Sequence, residues 1–209
     1  MAVKHSNQKN KNIHVNAFMK HVKNHLSEYG MKVIWGRGMS VHCGGYTSSA
    51  YFSEEEKMIK IAKNNDLWLE SLVHEYGHFI QWVNSSPIYA KSDKAIINVE
   101  KWFLRKKMSK MKIKKSFQIL REMERNCEMI ASKTAKRFKL PINKFGYAKR
   151  ANIYIYSHWV MEEKKKFWSY RIDPFRSRYI LSLVPNDFRT QTHKKIPEKI
   201  KHALLGYSN

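Results

Sequence analysis

Acidic residues are scarce in this chain. Seventeen Asp and Glu stand against 40 Lys and Arg in 209 residues, a formal net charge of +23. That deficit turns the molecule toward polyanions: nucleic acid, acidic proteins or a nucleoprotein assembly. Cysteine is nearly absent. Cys43 and Cys127 are the only two, too few for a disulfide framework, and a reduced cytoplasmic setting fits best. No apolar run approaches the roughly 20 residues of a membrane span. The polar segment Met1–Lys11 lacks the apolar stretch of a secretory signal. No zinc-finger or other dedicated nucleic-acid signature is present, and no internal repeat.

What is present is enough apolar material for a core, 43% of residues, with abundant Trp, Tyr and Phe. The length suits one domain with appendages. The expected organisation is a mobile polar N-terminus over 1–12, a domain over 13–185 and a basic tail over 186–209. Within the domain, residues 92–115 form a basic insert. A helix is expected over 14–29, with Val15, Phe18, Met19, Val22 and Leu26 on one face. Strands are expected at Met31–Trp35, Tyr46–Phe52 and Met58–Ala62, with turns from Gly36 to Gly45. Further helices are expected over 115–137 and from Tyr147 to Tyr170. A loosely defined tail follows Pro185, with a short helix from Pro197 to Leu205.

The chemistry is concentrated in Leu72-Val73-His74-Glu75-Tyr76-Gly77-His78-Phe79-Ile80-Gln81-Trp82. It contains H-E-x-x-H. Two histidines four apart share a helix face, one turn above the other, and their imidazoles can converge on one zinc ion. On a strand the same spacing puts them too far apart. The helix is supported by Leu69, Leu72, Val73, Tyr76, Phe79, Ile80 and Val83, which form one apolar stripe. Asn65 or Asp66 can cap its start, and Ser85-Ser86-Pro87 ends it. Glu75 lies beside the two ligands, where a general base for hydrolysis belongs.

Zinc hydrolases of this kind use three protein ligands. No histidine follows His78 until His158, so the third ligand is expected from a second helix. Glu124 and Glu128 are four apart in Arg121-Glu122-Met123-Glu124-Arg125-Asn126-Cys127-Glu128. Glu124 is assigned as the ligand. Glu128 is assigned to hydrogen-bond a ligand imidazole and fix its tautomer. Glu122 is the fallback ligand, and Cys127 reads as a small core residue.

H-E-x-x-H followed by a helical glutamate resembles the gluzincin type of zinc peptidase. Glu124-x-x-Cys127-Glu128-x-x-Ala131 with Leu140-Pro141 is similar to the second motif of ImmA/IrrE-like peptidases. More closely, residues 73–82 resemble metallopeptidases of tailed bacteriophages, whose helix reads H-E-Y-C-H-F-L-Q-W; Gly77 stands here where those have Cys. The resemblance covers about residues 31–185. It implies an α+β, zincin-like fold, with a small antiparallel or mixed sheet packed on the H-E-x-x-H helix and further helices C-terminal to it. It also implies Zn2+ and a protein or peptide substrate in the host cytoplasm. Tyr154, Tyr156 and His158 are candidates to stabilise the oxyanion, with Tyr154 preferred. The competing expectation is a non-catalytic basic zincin-like protein of a virion or nucleoprotein complex that binds nucleic acid.

Overall fold

The computed structural model describes residues 2–43, 46–167 and 173–208, with side chains from residue 12 onward. The chain is α+β and divides into two compact units. One comprises 1–83 with 130–142, the other 84–129 with 143–209.

In the first unit, α1 runs Ala2–Ser27. It begins well before the helix expected over 14–29 and takes in the polar residues expected to be mobile; Met1 lies outside the described residues. No Gly or Pro precedes Gly30, so nothing in the local sequence interrupts the helix. Phe18, Val22 and Leu26 of its apolar face are fully buried. The helix closes with Gly30 at φ 68°, where Gly30 N–H bonds Ser27 O and Met31 N–H bonds Leu26 O. This is the αL closing turn in which glycine is favoured.

Five short strands follow: β1 (Lys32–Gly36), β2 (Val41–Cys43), β3 (Tyr46–Ser48), β4 (Ala50–Ser53) and β5 (Met58–Ala62). The three-stranded sheet has the order β1-β5-β4, with β1 parallel and β4 antiparallel to the central β5. Of the two kinds of small sheet expected, antiparallel or mixed, it is therefore mixed. β2 and β3 form a separate antiparallel ribbon. The expectations differ here in two places. The segment expected to turn contains β2, and the strand expected over Tyr46–Phe52 is split at Ser49 into β3 and β4. Gly44 and Gly45 lie outside the described residues. Ile59, Ile61 and Ala62 of β5 are fully buried, as suits a central strand covered by neighbours.

Helix α2, Trp68–Val83, packs on β4 and β5. The Asn65 side chain accepts from Leu67 N–H at its entry. Leu72, Val73, Tyr76 and Phe79 are buried, as the apolar stripe predicts.

The second unit is helical. It contains α3 (Pro87–Phe103), α5 (Lys144–Lys164), α6 (Arg178–Leu183) and α7 (Glu198–Tyr207). Helix α4, Lys110–Arg137, supplies residues to both units. Asn143 caps α5 by accepting from Phe145 N–H and Gly146 N–H. The helix ends at Lys164; Trp168, Ser169 and Tyr170, to which it was expected to extend, lie outside the described residues. One core joins Ala95 and Val99 of α3 to Ile113, Phe117, Leu120 and Met123 of α4. A second joins Ile153, Tyr156 and Val160 of α5 to Ile180, Val184, Ile196, Ile200 and Leu204. The residues expected as a loose tail are thus part of a core: Ile200 and Leu204 share one face of α7, and Ile196, just before its N-cap Pro197, joins the same cluster. α3 and α4 close with the same αL turn as α1, but with Arg105 at φ 57° and Lys139 at φ 51° in the glycine position.

No helix among the described residues is long and apolar enough to cross a membrane.

Candidate functional site

His74, Glu75 and His78 lie on α2. Their positions are set by what the opposite face of the helix buries. Tyr76 inserts between Phe18, Phe79 and the imidazoles of α1. Its phenol meets His25 Nδ1 at 2.6 Å and His21 Nε2 at 2.9 Å. Burial pushes the Tyr76 phenol up to about 12, so it stays a neutral O–H that can donate to one imidazole and accept from the other. Burial, with the charges of His25 and Arg137, holds His21 below the ordinary histidine value. These bonds fix the rotation of α2 about its axis and aim its other face.

On that other face, His74 Nε2 and His78 Nε2 are 3.2 Å apart, with the rings nearly perpendicular at 88°. Two nitrogens bound tetrahedrally to one zinc at about 2.0–2.1 Å are roughly 3.3–3.4 Å apart. The pair therefore has the spacing the metal requires. Gln81 Oε1 lies 2.9 Å from His78 Nδ1. An amide oxygen accepts, so Nδ1 carries the hydrogen and Nε2 presents its lone pair toward His74. Gln81 is almost fully buried, a costly place for an amide without such a bond. Nothing in the H-E-x-x-H pattern singles out Gln81. The signal lies one residue short of a full turn beyond His78, at the spacing from which a side chain reaches back along the same face.

Glu75 is buried. Burial first, then the carboxylates of Glu56 and Glu75, push the Cys43 thiol up.

The second motif lies on α4. Glu124, Cys127 and Glu128 are all buried and Glu122 is half-buried. Glu122 accepts from the exposed Gln118, so it belongs to the outer side of the helix. Glu128 Oε2 accepts a hydrogen bond from the Tyr147 phenol of α5. Arg121, one turn before Glu124, is almost fully buried. It pairs with Glu162 at 3.1 Å, donates from Nε to His193 O at 3.2 Å, and stacks on Trp159 at 3.6 Å. Burial lowers its pKa, against the opposing effect of Glu162. Sequence reasoning assigned Arg121 no role, although it shares a helical face with Glu124 and Glu128.

On α5, the ring of Tyr154 packs edge-on against His158 at 5.2 Å. His158 Nδ1 donates to Tyr154 O at 3.1 Å, so Nε2 is left as its acceptor. His158 is buried, and burial lowers its pKa although the nearby Glu124 carboxylate raises it. Tyr156 is fully buried in the core with Ile180 and Leu204. Of the three oxyanion candidates, Tyr156 is therefore a core residue, while Tyr154 and His158 form a pair.

Comparison with protein-family models, with curated proteins and with solved structures found no match.

Proposed function

We propose that the protein is a zinc-dependent peptidase, with the metal held by His74 and His78 and by a third donor from the Glu124–Glu128 turn of α4. The observation that carries the reading is the 3.2 Å separation of the two Nε2 atoms, with Gln81 fixing the tautomer of His78. The same turn of α4 carries Cys127, which is buried. Thiolate and imidazole are both ordinary zinc ligands. Cys127, expected as a core residue, thereby joins Glu124 as a candidate for the third position.

Zinc bound there supplies Lewis acidity at neutral pH. Glu75 follows His74 directly and is buried. In this reading it accepts the proton of the attacking water and returns it to the leaving amine. His78 and Gln81 keep the ligand pair oriented. Tyr154 is the assigned donor to the oxyanion, and its packing on His158 holds the ring in place.

The test measures zinc content and hydrolysis of an unstructured protein by the full chain and by Glu75→Gln. The reading expects about one zinc in both and a loss of activity of roughly 10²- to 10⁴-fold in the variant, the usual contribution of a general base. Equal activity in both, or no bound zinc, overturns it. Zinc without hydrolysis in the unaltered chain would instead favour the non-catalytic basic protein. Cobalt substitution then separates the donors: an intense near-ultraviolet sulfur-to-metal band, lost in Cys127→Ser, assigns Cys127, while its absence together with metal loss in Glu124→Gln assigns Glu124.

A further inference from the structure

The chain between α3 and α4 lies in the most concentrated basic stretch of the molecule. From Lys101 to Lys115 there are eight basic residues and no acidic one. Part of this stretch lines a cleft of about 400 Å3 formed by Trp102, Arg105, Lys106, Lys107, Met108 and Lys165. Four of these six residues are cations. Among the described residues, none of the four is in an ion pair.

Helix-end electrostatics accounts for only part of this charge. α3 and α5 both end at the cleft, at Leu104 and Lys165, and a cation near each last turn is favoured by the helix dipole. Arg105 and Lys165 meet that need. Lys106 and Lys107 exceed it, and four like charges around one small concavity repel one another without an anion. The aromatic wall is fixed as well. Trp102 Nε1 donates to Glu162 O at 3.3 Å, and Lys165 Nζ lies 4.5 Å from the centre of its ring. A neighbouring cleft of about 640 Å3 shares Trp102 and Lys165 and adds Lys110, Lys114 and Lys195. Its Glu162 and Glu163 are already paired with Arg121 and Lys201.

We propose that this cleft binds single-stranded nucleic acid, with phosphates between Arg105, Lys106, Lys107 and Lys165 and a base against Trp102. Cations that follow a backbone, interleaved with an aromatic ring on which bases stack, are the working parts of such sites. A duplex keeps its bases stacked inside and offers none to Trp102. A bilayer surface cannot enter a concavity of this size, although the exposed Leu104 and Met111 could touch one. The proposal does not depend on the peptidase reading, and its measurements need no catalysis.

The experiment follows binding of a fluorescent oligothymidine to the full chain by anisotropy across a salt series. Four phosphate contacts at about −0.7 each predict a log–log slope near −2.8, about a 50-fold loss of affinity between roughly 50 and 200 mM salt. Lys106→Ala with Lys107→Ala should lower the slope by about 1.4. Lys20→Ala with Lys23→Ala, an equal charge loss on exposed positions of α1, should leave a slope that still reports the cleft. Quenching of tryptophan emission by the oligonucleotide should fall in Trp102→Phe, with unchanged thermal melts confirming that the variants fold. The proposal is overturned by absence of binding, by a slope that responds to the α1 pair and not to the cleft pair, by unchanged quenching in Trp102→Phe, or by stronger binding to phosphatidylserine vesicles than to the oligonucleotide.

Discussion

Helices α2 and α4 carry the two motifs, and they are held in different ways. α2 is held by side-chain hydrogen bonds and ring packing: the Tyr76 phenol between two imidazoles, and an aromatic wedge of Phe18, Tyr76 and Phe79. α4 is held by charge: Arg121 on Glu162 and Trp159, and Glu128 under the Tyr147 phenol. A part-buried hydrogen-bond network of this kind tolerates loss of a single bond, because the polar groups left behind are small and partly hydrated. A buried guanidinium does not, since removing one partner strands the other in low dielectric. The same chain thus has a forgiving motif helix and an unforgiving one.

That contrast can be broken by substitution. Arg121→Ala should have the largest effect on stability, about 2–4 kcal/mol, a buried-pair cost reduced because Glu162 is partly exposed. A denaturant melt reads it, and a loss no greater than that of a neutral bond would remove the distinction. Gln81→Met should come next, weakening zinc binding by roughly 10- to 100-fold with little change in the melt; competition with a chelating dye measures it. Tyr76→Phe should cost about 1–2 kcal/mol, because it removes the phenol and keeps the ring. If it costs as much as Arg121→Ala, α2 is no more forgiving than α4.

The smallest effect concerns pH. His158, like His21 and His193, is held below the ordinary value of 6.5. The unfolded chain therefore takes up protons before the folded one as pH falls through 6.5. Stability should be full above that value and decline below it, until the folded-state pKa values are reached. His158→Gln should flatten part of that decline and leave the shares of His21 and His193. A slope unchanged in the variant would show that His158 titrates as it does in the unfolded chain.

How much could be read beforehand depended on the kind of interaction. α2 was legible because its apolar stripe and its chemistry lie in one local pattern, and the stripe residues Leu72, Val73, Tyr76 and Phe79 are indeed buried. Strand β5 was legible to the residue, being short and central. The break at Ser49 was not, since Tyr46–Phe52 alternates well enough to read as one strand and only pairing distinguishes β3 from β4. The C-terminal helix expected from Pro197 to Leu205 is found as α7, Glu198–Tyr207, but its burial was not legible, since Ile196, Ile200 and Leu204 look like isolated apolar residues in a basic stretch until α5 supplies the surface they cover. Arg121 was the hardest case. Arginine in a basic chain reads as solvated, and only the distant Glu162, His193 and Trp159 show it to be interior.

The helix-closing turns carry a practical consequence. Arg105 and Lys139 occupy a backbone conformation that Gly30 occupies without strain. Glycine at either place should stabilise the chain by up to about 1 kcal/mol. A selection for heat resistance would therefore recruit both substitutions. A selection for retention on a polyanion column would accept Lys139→Gly and reject Arg105→Gly, because only Arg105 lines the cationic cleft. Two residues that look equivalent on a thermal ranking would part company on an affinity ranking, and the order in which variants are enriched would reveal which of the chain's many positive charges serve a ligand.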